Sequence, residues 1–245
     1  VLMGLRRAGG QLLGSALGGV FGVFALFLRR WLEETPVFLA MKADAALEAG
    51  LPLTRVLRDH RAQIWPSMLL TGFLSVGIVT LTLLTPSILQ TQFSYPASDA
   101  LEANSIAIIC LTFGCIFWGW LADRIGAYRV LLLGSLALAA SSYVFYHALP
   151  AEVGHTTLLY SIAGFCLGSV AVVPMILVGL FPPAVRYSGF SFSYNVAYSI
   201  FGGFAPMLVA YWLKSDVLAP AHLLAIVCVF AVAMAVYLPL KEKRP

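Results

Sequence analysis

The chain has 245 residues, of which 60% are hydrophobic and only 11% are charged. Soluble domains carry about 25% charged residues, so this composition argues against a soluble protein and predicts that lipid covers much of the surface. The net charge is +4, but the charged residues are arranged as in a membrane protein rather than gathered on one binding face, which argues against a nucleic-acid partner.

Seven apolar segments are long enough to cross a bilayer as helices, which takes about 20 residues. The segments lack the ten-residue alternation of an outer-membrane barrel, so helices are predicted. We therefore predict an all-α fold, a polytopic bundle of transmembrane helices. The predicted spans are 11–28, 66–89, 104–122, 130–148, 157–180, 188–212 and 220–240.

The connection 29–65, between the first two spans, is the only long polar segment. In its second half, leucines, Val56 and Ile64 alternate with arginines at roughly helical spacing, which predicts an amphipathic helix. Such a helix lies on the cytoplasmic membrane surface or is a soluble linker helix, and both interpretations remain open.

Basic residues in short loops indicate the orientation of the spans. Twelve basic residues lie in 29–65, in the turns after the third and fifth spans and in the tail. Lys214 is the only basic residue in the three connections on the other side, which follow the second, fourth and sixth spans. We therefore expect a cytoplasmic C-terminus. With seven spans and a cytoplasmic C-terminus, Arg6 and Arg7 lie outside, although arginines near a span favour the cytoplasmic side. The chain also starts with Val. We therefore expect a fragment of a longer protein.

The turn after the third span reads G-x-x-x-D-R-x-G-x-x-R and comprises Gly119, Asp123, Arg124, Gly126 and Arg129. The two glycines favour close helix packing and a tight reversal. Asp123 is predicted to lie where the next helix begins, so that its carboxylate caps that helix. It can also pair with Arg124 or Arg129.

The sixth span is unusually polar. At 100° per residue, Ser188, Ser191, Asn195 and Ser199 share one face, beside Tyr194 and Tyr198. Uncharged polar groups in lipid face a cavity or another helix. Ser191, Tyr194, Asn195 and Tyr198 are therefore candidates for a substrate path, and interhelical hydrogen bonding is the alternative.

Prolines and glycines predict irregular helices in three spans. Pro86 and Pro174 remove backbone donors inside the second and fifth spans, and Gly202, Gly203 and Pro206 loosen the sixth.

Three motifs resemble one transporter family. The charged turn resembles the signature loop of the major facilitator superfamily. The run containing Arg30, Glu34 and Pro36, and a second one that starts at Phe181, includes Arg186 and ends at Pro206, are similar to its metabolite:proton symporter family. That family includes proline/betaine, α-ketoglutarate, citrate and shikimate symporters.

The resemblance covers about residues 12–240. It implies the C-terminal six-helix half of a twelve-helix transporter, preceded by one extra helix. Residues 1–28 would be the last helix of the N-terminal half, 29–65 the central cytoplasmic loop, 66–240 the six-helix half and 241–245 the tail. The expected location is the bacterial inner membrane, with the lipid bilayer and the missing N-terminal helices as partners.

The resemblance further implies secondary transport by alternating access, with proton-coupled symport of an organic acid or a zwitterionic osmolyte. For the charged turn, the resemblance to the superfamily implies a conformational latch formed by its Asp and Arg contacts; an ordinary helix cap with cytoplasmic anchors is the alternative. We expect no enzymatic activity, no cofactor and no metal site, and we interpret the four cysteines as packing residues. Hydration at the interface suffices to explain His147, His155 and His222.

No Asp, Glu, Lys or Arg lies in the middle of any predicted span. Proton coupling normally requires an ionisable group on the path, so the coupling groups are expected on helices outside this chain. The alternative is a truncated membrane protein or an assembly partner without coupled transport. A membrane enzyme or sensor would need a catalytic cluster or a soluble domain, and the sequence indicates neither.

Overall fold

The computed structural model describes residues 19–25, 27–28, 52–151 and 155–242. The chain divides into two units, 1–49 and 50–245. In the first unit, residues 19–25 and 27–28 are helical and lie inside the span predicted at 11–28. The described residues contain no strand, which agrees with the all-α prediction.

In the second unit we number the helices in chain order. They are α1 (Pro52–Asp59), α2 (Arg61–Gln92), α3 (Ala97–Ile125), α4 (Ala127–Ala148), α5 (Thr156–Leu180), α6 (186–212) and α7 (Ala219–Glu242). Helices α2 to α7 contain the second to seventh predicted spans almost entirely. The junctions between α1 and α2, α3 and α4, and α5 and α6 lie at the predicted cytoplasmic end, and the other three lie at the predicted outer end.

Five of these helices, α2 to α5 and α7, are long and apolar enough to cross a membrane, among the residues that the structure describes. Helix α6 is long enough to cross a membrane but is less apolar than these five helices. Its serines, Asn195, glycines and Pro206 lower its hydropathy, which is the feature that made it a candidate for a substrate path.

Helix α2 lies at the centre of the bundle and packs against α3, α5, α6 and α7. In its most apolar stretch 67% of the residues are buried, compared with 22% in α3, so α3 is the more exposed of the two helices. Four large aromatic side chains are fully buried in this core: Phe73, Phe145, Tyr146 and Tyr160.

Two glycines of α5 allow a close approach to α3. A Cβ on Gly164 would overlap the backbone of Ala107, and one on Gly168 would overlap the backbone of Gly114 and Cys115. Larger residues at these positions would force the two helices apart, so the small-residue spacing of α5 is a packing seam.

Helix α1 packs against the predicted cytoplasmic end of the bundle. Val56 is completely buried and forms a small apolar cluster with Ile64, Phe181 and Val185. On the same helix Leu53 and Leu57 remain exposed. An amphipathic helix is therefore present at Pro52–Asp59, with an apolar docked residue, whereas Ile64, which the sequence pattern placed in the same helix, lies in α2.

Candidate functional site

The regular hydrogen bonding of α2 is interrupted in its middle. Residues Val79–Leu84 form a π-helical segment, and Pro86 follows two residues later. The backbone N–H of Thr85 donates to the carbonyl of Thr80, five residues back. The Leu81 carbonyl thereby loses Thr85 as its α-helical donor, and its π-helical donor would be Pro86, which has no N–H.

Tyr160 of α5 supplies the donor that the Leu81 carbonyl lacks. Its hydroxyl contacts that carbonyl oxygen and also lies 2.6 Å from Asn104 Oδ1 of α3. A tyrosine hydroxyl carries one proton, so both contacts are satisfied together when the Asn104 amide is turned to donate to the Tyr160 oxygen. This group holds α2, α3 and α5 together at the break.

A second tyrosine supports the same break from α4. The Thr85 hydroxyl donates to the Thr80 carbonyl at 2.9 Å and lies 2.7 Å from the Tyr146 hydroxyl. Since the threonine proton is used by the carbonyl, Tyr146 is the donor to Thr85. The sequence indicated the kink at Pro86, but not the roles of Tyr146 and Asn104, because no local pattern shows which face of α3 or α4 meets α2.

Helix α6 contains a second π-helical segment, Tyr198–Gly202, four residues before Pro206. This segment packs on α2 before the break in α2. A Cβ on Gly72 would lie 3.0 Å from the Phe201 ring, and one on Gly202 would lie 3.6 Å from Ser75. π-helical segments frequently occur at functional sites, and here two neighbouring helices each contain one.

The candidate path residues lie on and beside the polar face of α6. Asn195 is exposed and its Nδ2 donates to the Ser191 carbonyl at 2.8 Å, so the amide bonds within its own helix. Tyr194 is stacked on Phe190 with ring centroids 5.5 Å apart, and its ring lies 5.6 Å from that of Tyr198. The structure thus places Ser191 and Asn195 together, and Tyr194 and Tyr198 in an adjoining aromatic row.

The charged turn is as tight as predicted, but Asp123 does not cap α4. Gly126 alone joins α3 to α4 and adopts φ 94°, a left-handed conformation that favours glycine. The N-cap of α4 is Gly126, with no side-chain hydrogen bond. Asp123 lies in the last turn of α3, where the helix dipole disfavours a carboxylate, so the predicted cap is wrong.

The charged side chains of this turn lie on the surface of the described structure. Asp123, Arg124 and Arg129 are exposed, and no ion pair joins them within the described part of the chain. The Arg124 guanidinium instead lies 4.6 Å above the Trp120 ring. A Cβ on Gly119 would meet nothing within 4 Å among the described residues, so the close packing predicted for Gly119 is wrong here.

The remaining motif residues divide into described and undescribed positions. Arg186 begins α6 and its Nε donates to the Phe181 carbonyl at 3.2 Å, which fixes the turn between α5 and α6. Arg30, Glu34 and Pro36 lie outside the described residues.

His222 of α7 forms a polar cluster that the sequence did not reveal. Its Nδ1 lies 2.7 Å from the Tyr143 hydroxyl of α4, and its Nε2 lies 2.8 Å from Asp216 Oδ2. The other Asp216 oxygen accepts the Leu218 N–H. Hydration alone is therefore the wrong explanation for His222, which connects α4, α7 and the turn before α7.

Removing one hydroxyl at the break in α2 should destabilise the bundle. We expect Tyr160→Phe to leave the Leu81 carbonyl without a donor and to lower the free energy of unfolding by about 1–3 kcal/mol. Thermal unfolding of the detergent-purified protein measures this. Tyr237→Phe on the exposed side of α7 is the control, and equal midpoints for the two variants would contradict the assigned role.

Comparisons with known proteins identify the family. The model of the Major Facilitator Superfamily matches residues 7–206. A putative proline/betaine transporter of Staphylococcus aureus (strain COL) is 30% identical, over 91% of this chain and 49% of that protein. A proline/betaine transporter of Escherichia coli (strain K12) is 27% identical, over 91% of this chain and 47% of that protein. An ectoine/proline transporter of Corynebacterium glutamicum is 25% identical, over 79% of this chain and 40% of that protein.

The chain spans about half the length of the curated relatives it matches. These relatives are named as transporters, and their similarity to this chain supports the resemblance to the metabolite:proton symporter family. The several apolar helices agree with a multi-pass membrane protein. This chain belongs to the major facilitator superfamily.

Proposed function

We propose that this chain forms the C-terminal half of a proton-coupled symporter for a small zwitterionic osmolyte or organic acid. Substrate binds near the bilayer midplane between this half and an N-terminal half, and the two halves rock to expose it alternately to each side. The alternative is a membrane protein that performs no coupled transport.

The observation that carries this proposal is a row of uncharged polar residues on one face of α6, Ser191, Asn195 and Ser199, which we call the polar strip. Asn195 and Ser199 are exposed in the helical bundle, beside the π-helical segment of the same helix. By contrast, the exposed face of α3 presents apolar side chains such as Phe113 and Ile116. Lipid suits the α3 face but not the α6 strip, so the strip faces a hydrated cavity or the other half.

The relatives favour a zwitterionic substrate over an organic acid. All three are named for proline, and two of them also for betaine. Proline and betaine each carry one cationic nitrogen and one carboxylate. An uncharged strip such as Ser191, Asn195 and Ser199 can hydrogen-bond a carboxylate without adding a net charge.

The charged turn serves as a latch at the predicted cytoplasmic end. Asp123 lies where the helix dipole disfavours it, and within the described residues it has no cationic partner. Helix stability therefore does not account for this carboxylate. A cation from the other half would pair with Asp123 in one conformation and separate from it in the other.

Transport by the protein as its gene encodes it tests the proposal directly. We expect saturable uptake of radiolabelled proline and glycine betaine into proteoliposomes with an acidic outside solution, and loss of accumulation with a protonophore. Citrate and α-ketoglutarate test the organic-acid class. Uptake equal to that of protein-free vesicles for all four compounds would support the alternative without transport.

Asn195→Ala separates a substrate path from interhelical packing. If Asn195 lines the path, losing its hydrogen bond lowers the uptake rate roughly five- to ten-fold while thermal stability is retained. Phe204→Leu, at an exposed apolar position of the same helix, is the control. A lower unfolding temperature with normal uptake would instead make Asn195 a packing residue.

Asp123→Asn tests the latch. We expect roughly ten-fold slower uptake at unchanged expression, because about 1.4 kcal/mol of differential stabilisation between the two conformations is lost. Asp99→Asn, an exposed carboxylate at the other end of the bundle, is the matched control. Normal uptake by Asp123→Asn would leave no latch function for this residue.

A further inference from the structure

A cleft of about 450 Å³ opens between α2 and α6 at the predicted outer end. It starts at Leu84, the last residue of the π-helical segment of α2, and lies beyond the π-helical segment of α6. Its volume falls within the range of small-molecule sites, about 300–1,000 Å³. Ser87, Thr91 and Gln92 line it from α2, and Pro206 and Lys214 line it from α6 and the residues that follow. The cleft therefore lies above the polar strip of α6.

The cation of this cleft is not neutralised by its neighbours. Lys214 is exposed and forms no ion pair within the described residues. Asp216 is the acidic residue nearest in sequence, but its two oxygens bind His222 Nε2 and the Leu218 N–H, each at 2.8 Å. The Lys214 ammonium is thus available to an external anion.

The α2 wall adds neutral hydrogen-bond donors. Thr91 uses its hydroxyl proton on the Ser87 carbonyl at 2.8 Å. The side chains of Ser87 and Gln92 are exposed and have no hydrogen-bond partner in the described part of the chain. One cation beside a hydroxyl and an amide donor is complementary to a carboxylate.

We propose that this cleft is an outer binding site for the carboxylate of a small zwitterionic substrate, with Lys214 as its cationic contact. The site captures substrate before it reaches the polar strip of α6. This inference rests on the proposed transport function and adds the residue that recognises substrate at the outer mouth.

Uptake kinetics test the role of the charge. Because exposed ion pairs contribute little, we expect Lys214→Gln to raise the KM for proline roughly three- to five-fold with little change in maximal rate. Lys214→Arg should restore the KM to within about two-fold. Asp99→Asn is the control, because Asp99 lies at the same end in a different pocket. An unchanged KM for Lys214→Gln would overturn the proposal, as would an equal and opposite effect of Asp99→Asn, which would indicate surface potential alone.

Chemical protection tests binding independently of transport. A membrane-impermeant amine reagent applied from outside should acylate Lys214, and glycine betaine, whose quaternary nitrogen does not consume the reagent, should slow this reaction, as measured by mass spectrometry. Choline, which lacks a carboxylate, should not. Equal protection by choline, or none by any compound, would overturn the site. Protection without uptake by the unmodified protein would refute the proposed transport while supporting the binding site.

Discussion

A backbone carbonyl without a donor inside a bilayer is destabilising, and Pro86 creates this problem at Leu81 in the most buried of the five candidate membrane-spanning helices. The protein solves it with a tertiary contact rather than with local structure. Tyr160 reaches the carbonyl from α5, and Tyr146 supports Thr85 from α4. The positions of α4 and α5 around α2 therefore depend on satisfying one irregular turn.

The close packing of α3 and α5 at Gly164 and Gly168 makes the contact between Tyr160 and the Leu81 carbonyl geometrically possible. Tyr160 lies one turn before Gly164, and Asn104 lies one turn before Ala107, the residue that Gly164 contacts. The close approach of α3 and α5 thus places the tyrosine and the amide at the same level as the break in α2. Packing of small residues and hydrogen bonding of polar ones are two parts of one arrangement.

The sequence was informative about irregularities along each helix and about the polar face of α6, but not about which faces of neighbouring helices meet. Pro86 and Pro206 correctly indicated irregular segments in α2 and α6, because a missing N–H has a local effect. The Asp123 cap was predicted wrongly because α3 continues to Ile125, so a small shift in a helix end reversed the sign of the dipole effect. The partners of His222 could not be predicted, because they depend on which faces of α4 and α7 meet.

The interfaces of α2 differ in what a movement would break. Hydrogen bonds from Tyr146 and Tyr160 join α2 to α4 and α5, whereas no hydrogen bond joins α2 to α6 within the described residues. The α2–α6 interface instead consists of van der Waals contacts around Gly72 and Gly202. Such contacts can shift by small steps without leaving a polar group unsatisfied, so α6 can move against α2 at a lower free-energy cost than α4 or α5. The polar strip and one wall of the cleft at the predicted outer end both lie on this less tightly held helix, as the proposed alternating access requires.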